Sequence, residues 1–335
     1  MKRRSVLAAG VVLGGGVVTV PMSAWAAPAP RLSAADVAGA RRLFTAGSYM
    51  RFDEVLPLLL TAAEHSIEQG PAGAALAADV WALASQRAVK QGRTTAGGTY
   101  AEQAGAAARR SGNPVVLAAA ARAAATPLRR TGHTDEALLL LHEAYAHLTA
   151  GSRPAAAELE AAGLVALTAA YTAAQAHRPG AARDFVAQAE EDTLRLARHP
   201  HTADRPRELT ADQCVLYRIG IHRHLGDPDT ALTHARRLRP AQLPTAERRA
   251  RAATDTARAL LDVGDAAGAF AQLRLVELAA PLEARRPSAR RLTDRVAELR
   301  PDLPSLSDYA QRTAAPSDPR IRRLSPMTAA TDKPT

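Results

Sequence analysis

The sequence is poor in aromatic residues, which make up 4% of 335 positions, and it holds a single cysteine. One thiol excludes an intrachain disulfide framework. The shortage of aromatic side chains argues against an all-β protein, because strands favour β-branched and aromatic residues. Lysine is almost absent: Lys2, Lys90 and Lys333 stand beside 40 arginines. Past residue 30, no uncharged apolar run approaches the roughly 20 residues that span a bilayer, so no membrane span is expected in the mature chain. What the sequence has in quantity is alanine, 79 residues, the residue that loses least on entering a helix. At 47% hydrophobic and 23% charged, the chain is too apolar to be wholly disordered. The formal net charge is +10. Three of those charges sit at Lys2, Arg3 and Arg4, and the remainder is a mild field that does not by itself imply direct nucleic-acid binding.

Residues 1–30 read as an export signal. A basic Lys2-Arg3-Arg4 is followed by an uncharged run from Val6 to Val20, then Pro21, then Ala24-Trp25-Ala26. Ala24 and Ala26 are the small residues a signal peptidase reads, placing the mature start at Ala27. Arg3-Arg4, a spacer and two apolar residues resemble the twin-arginine consensus. The same stretch also reads as a linker in a cytoplasmic protein. Two addresses therefore stay open, with the order of the three signal regions favouring export.

From Ser33 to Arg300, long Ala/Leu stretches with apolar residues at three- and four-residue spacing alternate with short breakers. Such alternation predicts helical hairpins. Gly47, Gly92, Gly132, the segment His177 to Gly180, Gly226 and Gly264 fall inside hairpins. Six hairpins are predicted: Ser33–Gln69, Pro71–Ser111, Pro114–Ala150, Pro154–His199, Glu208–Arg239 and Pro244–Ala280. In three of them an alanine stands five residues after the glycine (Ala137, Ala231, Ala269). There a larger side chain would push the two helices apart. Glycine turn, small contact residue and terminal proline (Pro281) resemble the tetratricopeptide repeat, although the period exceeds thirty-four residues and the aromatic of the first helix is mostly replaced. The expected fold is all-α: a tetratricopeptide-like α-solenoid of about six hairpins over residues 31–300, stacked as a right-handed superhelix. Pro287–Arg300 is expected as a capping helix with a polar outer face. Residues 301–335, with six prolines and little periodicity, are expected to be a disordered tail.

Two stretches carry a more specific likeness: Leu43 to Glu64, and Ala101 to Ala121 followed by Leu128 to Ala137. They resemble the repeat region of actinobacterial transcriptional regulators that join a helix-turn-helix domain to tetratricopeptide-like repeats. The resemblance covers roughly Ser33 to Ala280 and implies a sensory, ligand-receiving half. The DNA-reading half has no counterpart in these residues, so DNA binding is not carried over.

Catalytic and metal signatures are weak. His142 and His147 are five apart, which puts them about 140° apart on a helix rather than on one face. His222 and His224 diverge further. His199-Pro-His201 has no neighbouring carboxylate or thiol cluster, so no metal or cofactor is expected. No Gly-x-Ser-x-Gly and no phosphate-cradling glycine loop occurs. Cys214, between apolar neighbours, reads as a buried inert thiol. The arginine clusters around Arg236, Arg248, Arg285 and Arg320 read as solvated helix ends, because carboxylates intersperse them and aromatics for base stacking are missing.

Counting back from the turns places a set of first-helix residues on the concave side: Gln86 and Lys90; Arg122, Arg129 and Arg130; Tyr171 and Gln175; Arg223 and His224; Arg251 and Arg258. The set is basic and holds no carboxylate. Arginine forks grip carboxylates bidentately, so the expected ligand is an acidic peptide or a C-terminal carboxylate on a partner protein. The leading functional expectation is thus a non-enzymatic protein- or peptide-binding repeat module. An exported envelope scaffold is the alternative, and a helical enzyme with an unrecognised site comes third.

Overall fold

A computed structural model describes residues 31–151, 153–200 and 207–314. Every regular element among them is helical. The export-signal expectation, with Arg3, Arg4, Ala24 and Ala26, lies outside the described residues, as do His201 and residues 315–335. Within each predicted hairpin lie two helices. They are α1 (Ala34–Thr45) with α2 (Tyr49–Ser66), α3 (Gly70–Lys90) with α4 (Thr94–Ser111), and α5 (Pro114–Arg130) with α6 (Thr134–Thr149). Then come α7 (Ala156–Gln175) with α8 (Pro179–Ala197), α9 (Ala211–His224) with α10 (Pro228–Arg237), and α11 (Ala246–Asp262) with α12 (Ala266–Ala279). Short α13 (Pro281–Ala284), α14 (Pro287–Leu299) and α15 (Leu306–Thr313) follow.

One backbone device makes all six turns. The residue after the turn donates its N–H to the carbonyl five positions back: Ser48 to Leu43, Arg93 to Ala88, His133 to Leu128, Arg178 to Ala173, Asp227 to His222 and Asp265 to Leu260. This closure demands a left-handed residue between them. Glycine supplies it five times, at φ between 74° and 87°, and His177 supplies it in the fourth hairpin at φ 53°. Five residues past each turn the side chain is buried where the two helices meet. Ala137, Ala182, Ala231 and Ala269 are fully covered there, as is Phe52. In the second hairpin the position is Gly97, where a β-carbon would meet Val89 Cγ2 at 2.8 Å.

The first helices of the pairs form an inner layer. α3 and α7 are buried almost all round, since neighbours cover each of them on several sides, and that is why they lack a clean polar stripe. Alanine at the contacts lets backbones approach closely without a loss of side-chain entropy.

The array closes on itself. α1 packs on α11, and the Tyr49 hydroxyl donates to Glu283 across 234 positions of sequence. Lys90 Nζ lies 2.8 Å from Glu247 Oε1 and 2.7 Å from Glu283 Oε1. Arg286 adds a 2.6 Å contact to Glu283. Leu282 packs into the Phe44, Tyr49 and Phe52 cluster, and Pro287 sits 3.6 Å from where a β-carbon of Gly92 would be. α14 presents the expected polar outer face, with Arg291, Asp294, Arg295 and Glu298 exposed, and buries Ala289, Thr293 and Val296; its N-terminal end abuts the second turn. The expected tail is corrected between residues 301 and 314. There α15 buries Leu306 and Tyr309, with the Tyr309 ring edge-on to Phe270 at 5.5 Å and its hydroxyl donating to the Leu273 carbonyl at 3.0 Å. The sequence missed this helix because prolines flank it and only two large apolar residues anchor it.

Candidate ligand cavity

The inner layer surrounds a cavity of about 410 Å³, within the range of sites for small ligands. Its helical walls come from the first helix of each pair together with the start of α14; the second helices contribute no lining residue. Of the expected concave set, Gln86, Lys90, Arg122, Arg129, Arg130, Tyr171, Gln175, Arg251 and Arg258 line it. Arg223 and His224 do not. Arg223 Nε is paired with Asp262 Oδ2 at 2.6 Å. His224 is turned onto Tyr171, edge-on at 5.0 Å, with Nε2 2.9 Å from the Tyr171 hydroxyl. Burial, reinforced by the neighbouring Arg223 charge, pulls His224 down to about 4, so its ring is neutral at neutral pH.

The expectation of a lining without carboxylates is overturned. Asp79, Glu208, Glu247 and Asp255 also face the cavity. They are spread over two inner helices and a loop; Asp79 stands thirteen residues before Gly92, the same offset that places Arg251 before Gly264, so the turn count could have found it. Even so, cations outnumber them, because Arg41, Arg248 and Arg286 join the six expected ones. Arg248, Arg251 and Arg286 belong to clusters that the sequence assigned to solvated helix ends. α11 instead turns Arg248 and Arg251 inward, while Arg236, Arg237, Arg239 and Arg285 are exposed.

The cations fall into two kinds. Arg251 and Arg258 share Asp255, at 3.4 and 2.6 Å. Among the described residues, Arg122, Arg129 and Arg130 have no carboxylate partner. Arg122 Nε reaches only the Thr168 hydroxyl, at 3.3 Å. Arg129 donates to Thr172 and Thr126 at 2.9 and 3.0 Å, and Arg130 donates to the Val89 carbonyl at 3.0 Å. Burial pulls the Arg129 guanidinium down to about 10, against the opposing pull of the Tyr171 and Tyr217 phenols; it stays charged at neutral pH.

Two tyrosines complete the site. The Arg251 guanidinium lies 4.2 Å over the Tyr217 ring and 5.5 Å from the centre of Tyr171, while Arg129 lies 5.4 Å from Tyr171. Burial alone would raise the Tyr217 phenol. The guanidiniums of Arg251, Arg248 and Arg122 outweigh it and bring Tyr217 down to about 6. Tyr217 is not selected by the sequence reading, because it lies in a helix buried on several sides and without an amphipathic pattern. Gly220, one helical turn on, makes room for the site: a β-carbon there would come within 2.6 Å of Tyr171 Cε2.

Away from the cavity, Cys214 is buried, and burial pushes its thiol up. Among the described residues no group of three side chains is placed to hold a metal ion, and no helix is long and apolar enough to cross a membrane. No protein-family model and no curated protein matches this chain.

Proposed function

We propose that this chain is a non-enzymatic binding module, a tetratricopeptide-like solenoid related in design to the sensory half of helix-turn-helix regulators. Its inner face receives an anionic ligand such as the end of an acidic peptide or partner protein. The observation that carries this reading is the trio Arg122, Arg129 and Arg130, three cations facing one cavity with no carboxylate of the described residues within salt-bridge distance. Uncompensated charge in a partly desolvated site is unfavourable until an anion arrives. Binding is favoured over catalysis by the rest of the lining, which contains no histidine and no cysteine.

The test is capture of partners on the immobilised protein, repeated with Arg122, Arg129 and Arg258 each replaced by glutamate in chains that keep their helical circular dichroism. Loss of capture on reversal, with a salt dependence that falls in parallel, is expected. Capture that survives all three reversals would place the site elsewhere.

A further inference from the structure

Resting on the binding reading above, we propose that the anion held between α5, α7 and α11 is a phosphoryl group on a small ligand, gripped by Arg129 and Arg251 beside the Tyr171 ring and by Arg122 on the same cavity wall.

Three observations narrow the ligand to this chemistry. The first is how the arginines are aimed. Arg122 and Arg129 are held by hydroxyls, not carboxylates, and those hydroxyls are themselves tied to backbone: Thr168 donates to the Leu164 carbonyl at 2.9 Å and Thr172 to the Thr168 carbonyl at 2.7 Å. A guanidinium that only braced the fold would be neutralised by its brace. Here the orientation of Arg122 and Arg129 is fixed by neutral hydroxyls, and the anionic group set against them is the Tyr217 phenol, which Arg122, Arg248 and Arg251 share.

The second is the supply of donors. A guanidinium carries five N–H groups. Arg122 commits one of them and Arg129 two. One carboxylate offers two oxygens and a single charge. A phosphate monoester offers three acceptor oxygens and a charge between about −1.5 and −2, and so satisfies more of these donors from one point.

The third is placement. Arg129 and Arg251 both lie beside the Tyr171 ring, so their guanidinium carbons are at most about 11 Å apart. They come from α5 and α11, on different hairpins, and both face the same cavity. The space they face is about 410 Å³, the size of a site for a small ligand, which suits a compact, highly charged ligand.

The experiment is titration calorimetry on the full chain at one pH and ionic strength. The probes are inorganic phosphate, pyrophosphate, citrate and an acidic tripeptide. Pyrophosphate is expected to bind at least tenfold more tightly than citrate, although both are multiply charged, and phosphate is expected to compete with it. Arg129→Gln and Arg122→Gln should each weaken pyrophosphate by about tenfold or more, the value of a charge-assisted hydrogen bond, while the melting temperature holds or rises as repulsion is relieved. The comparison of probes on the unaltered protein decides the anion class without any variant. Citrate or the tripeptide binding as tightly as pyrophosphate, with both arginine variants weakening it, would overturn the phosphoryl assignment and leave the binding module standing. Pyrophosphate binding unchanged in both variants would overturn the site. No binding by any probe would overturn both readings.

Discussion

Replacing Lys90 with methionine tests the closure of the array directly. Methionine keeps the length and apolar stem of the side chain and removes the charge. In the native protein Lys90 Nζ is within 2.8 Å of carboxylate oxygens from both Glu247 and Glu283, which are themselves 14% and 3% exposed. The two oxygens are therefore no more than about 5.5 Å apart. Without the lysine they repel by ~3 kcal/mol at the effective dielectric of a protein site, and one carboxylate takes up a proton to escape. Removing one partner from a buried ionic cluster costs about 3–5 kcal/mol, and that loss is expected in urea unfolding followed by circular dichroism near pH 7. The pH dependence has a definite sign. Burial alone would raise Glu247 and Glu283; Lys90, with Arg248 beside Glu247 and Arg286 beside Glu283, more than reverses this and holds both below the ordinary carboxylate range. Their stabilisation is present above that range and is lost as pH falls through their lowered values. In the variant one carboxylate is raised instead, so the folded state gains relative to the native protein as pH falls toward 5. The stability gap between the two proteins should narrow over that interval. Adding Glu247→Gln to the variant should recover at least ~1 kcal/mol. A loss below ~1 kcal/mol near pH 7, or a gap that does not change with pH, would refute the reasoning.

Other expectations follow from single residues. Tyr217 should titrate near pH 6, visible as phenolate absorbance that Tyr217→Phe abolishes; because its folded value is depressed, the stability it lends falls as pH drops through 6. Only ordinary tyrosine titration above pH 9 would contradict this. Gly220→Ala should push the Tyr171 ring aside, costing about 1–3 kcal/mol by overpacking and weakening anion binding; unchanged melting and affinity would mean that the ring has room to move. Ala269→Leu, at a fully buried contact between α11 and α12, should cost about 1–3 kcal/mol in urea unfolding, and a neutral result would mean that the helices separate without loss.

The parts of this fold that are legible in sequence are the local ones. A Schellman turn needs φ > 0, so Gly92, Gly132, Gly226 and Gly264 announce themselves. His177 does the same work without the signal, which is why the fourth hairpin is harder to place. Counting from these turns finds the lining on α3, α5, α7 and α11, because helical periodicity carries phase over three or four turns. It misplaces Arg223 and His224, whose helix end is occupied by contacts with Asp262 and Tyr171. It misses Glu208 and Glu247 for the same reason that it misses the closed seam. Which helix meets which after a full circuit depends on small rotations summed over many pairs, and no single residue encodes that sum.

The contact between Tyr49 and Glu283 also bears on how the protein folds and comes apart. A stack of helical pairs with two free ends depends only on neighbours, so it frays from either end. Joining the ends removes both starting points: the first pair cannot loosen without exposing Glu283, nor the last without stranding Lys90. The join spans 234 positions, so its loop-closure entropy, ~5 kcal/mol for a flexible chain, must be met mostly by the stacking already in place. Closure is then the slow final event in folding, and amide hydrogens in α1 and α14 should exchange together rather than as independent edges.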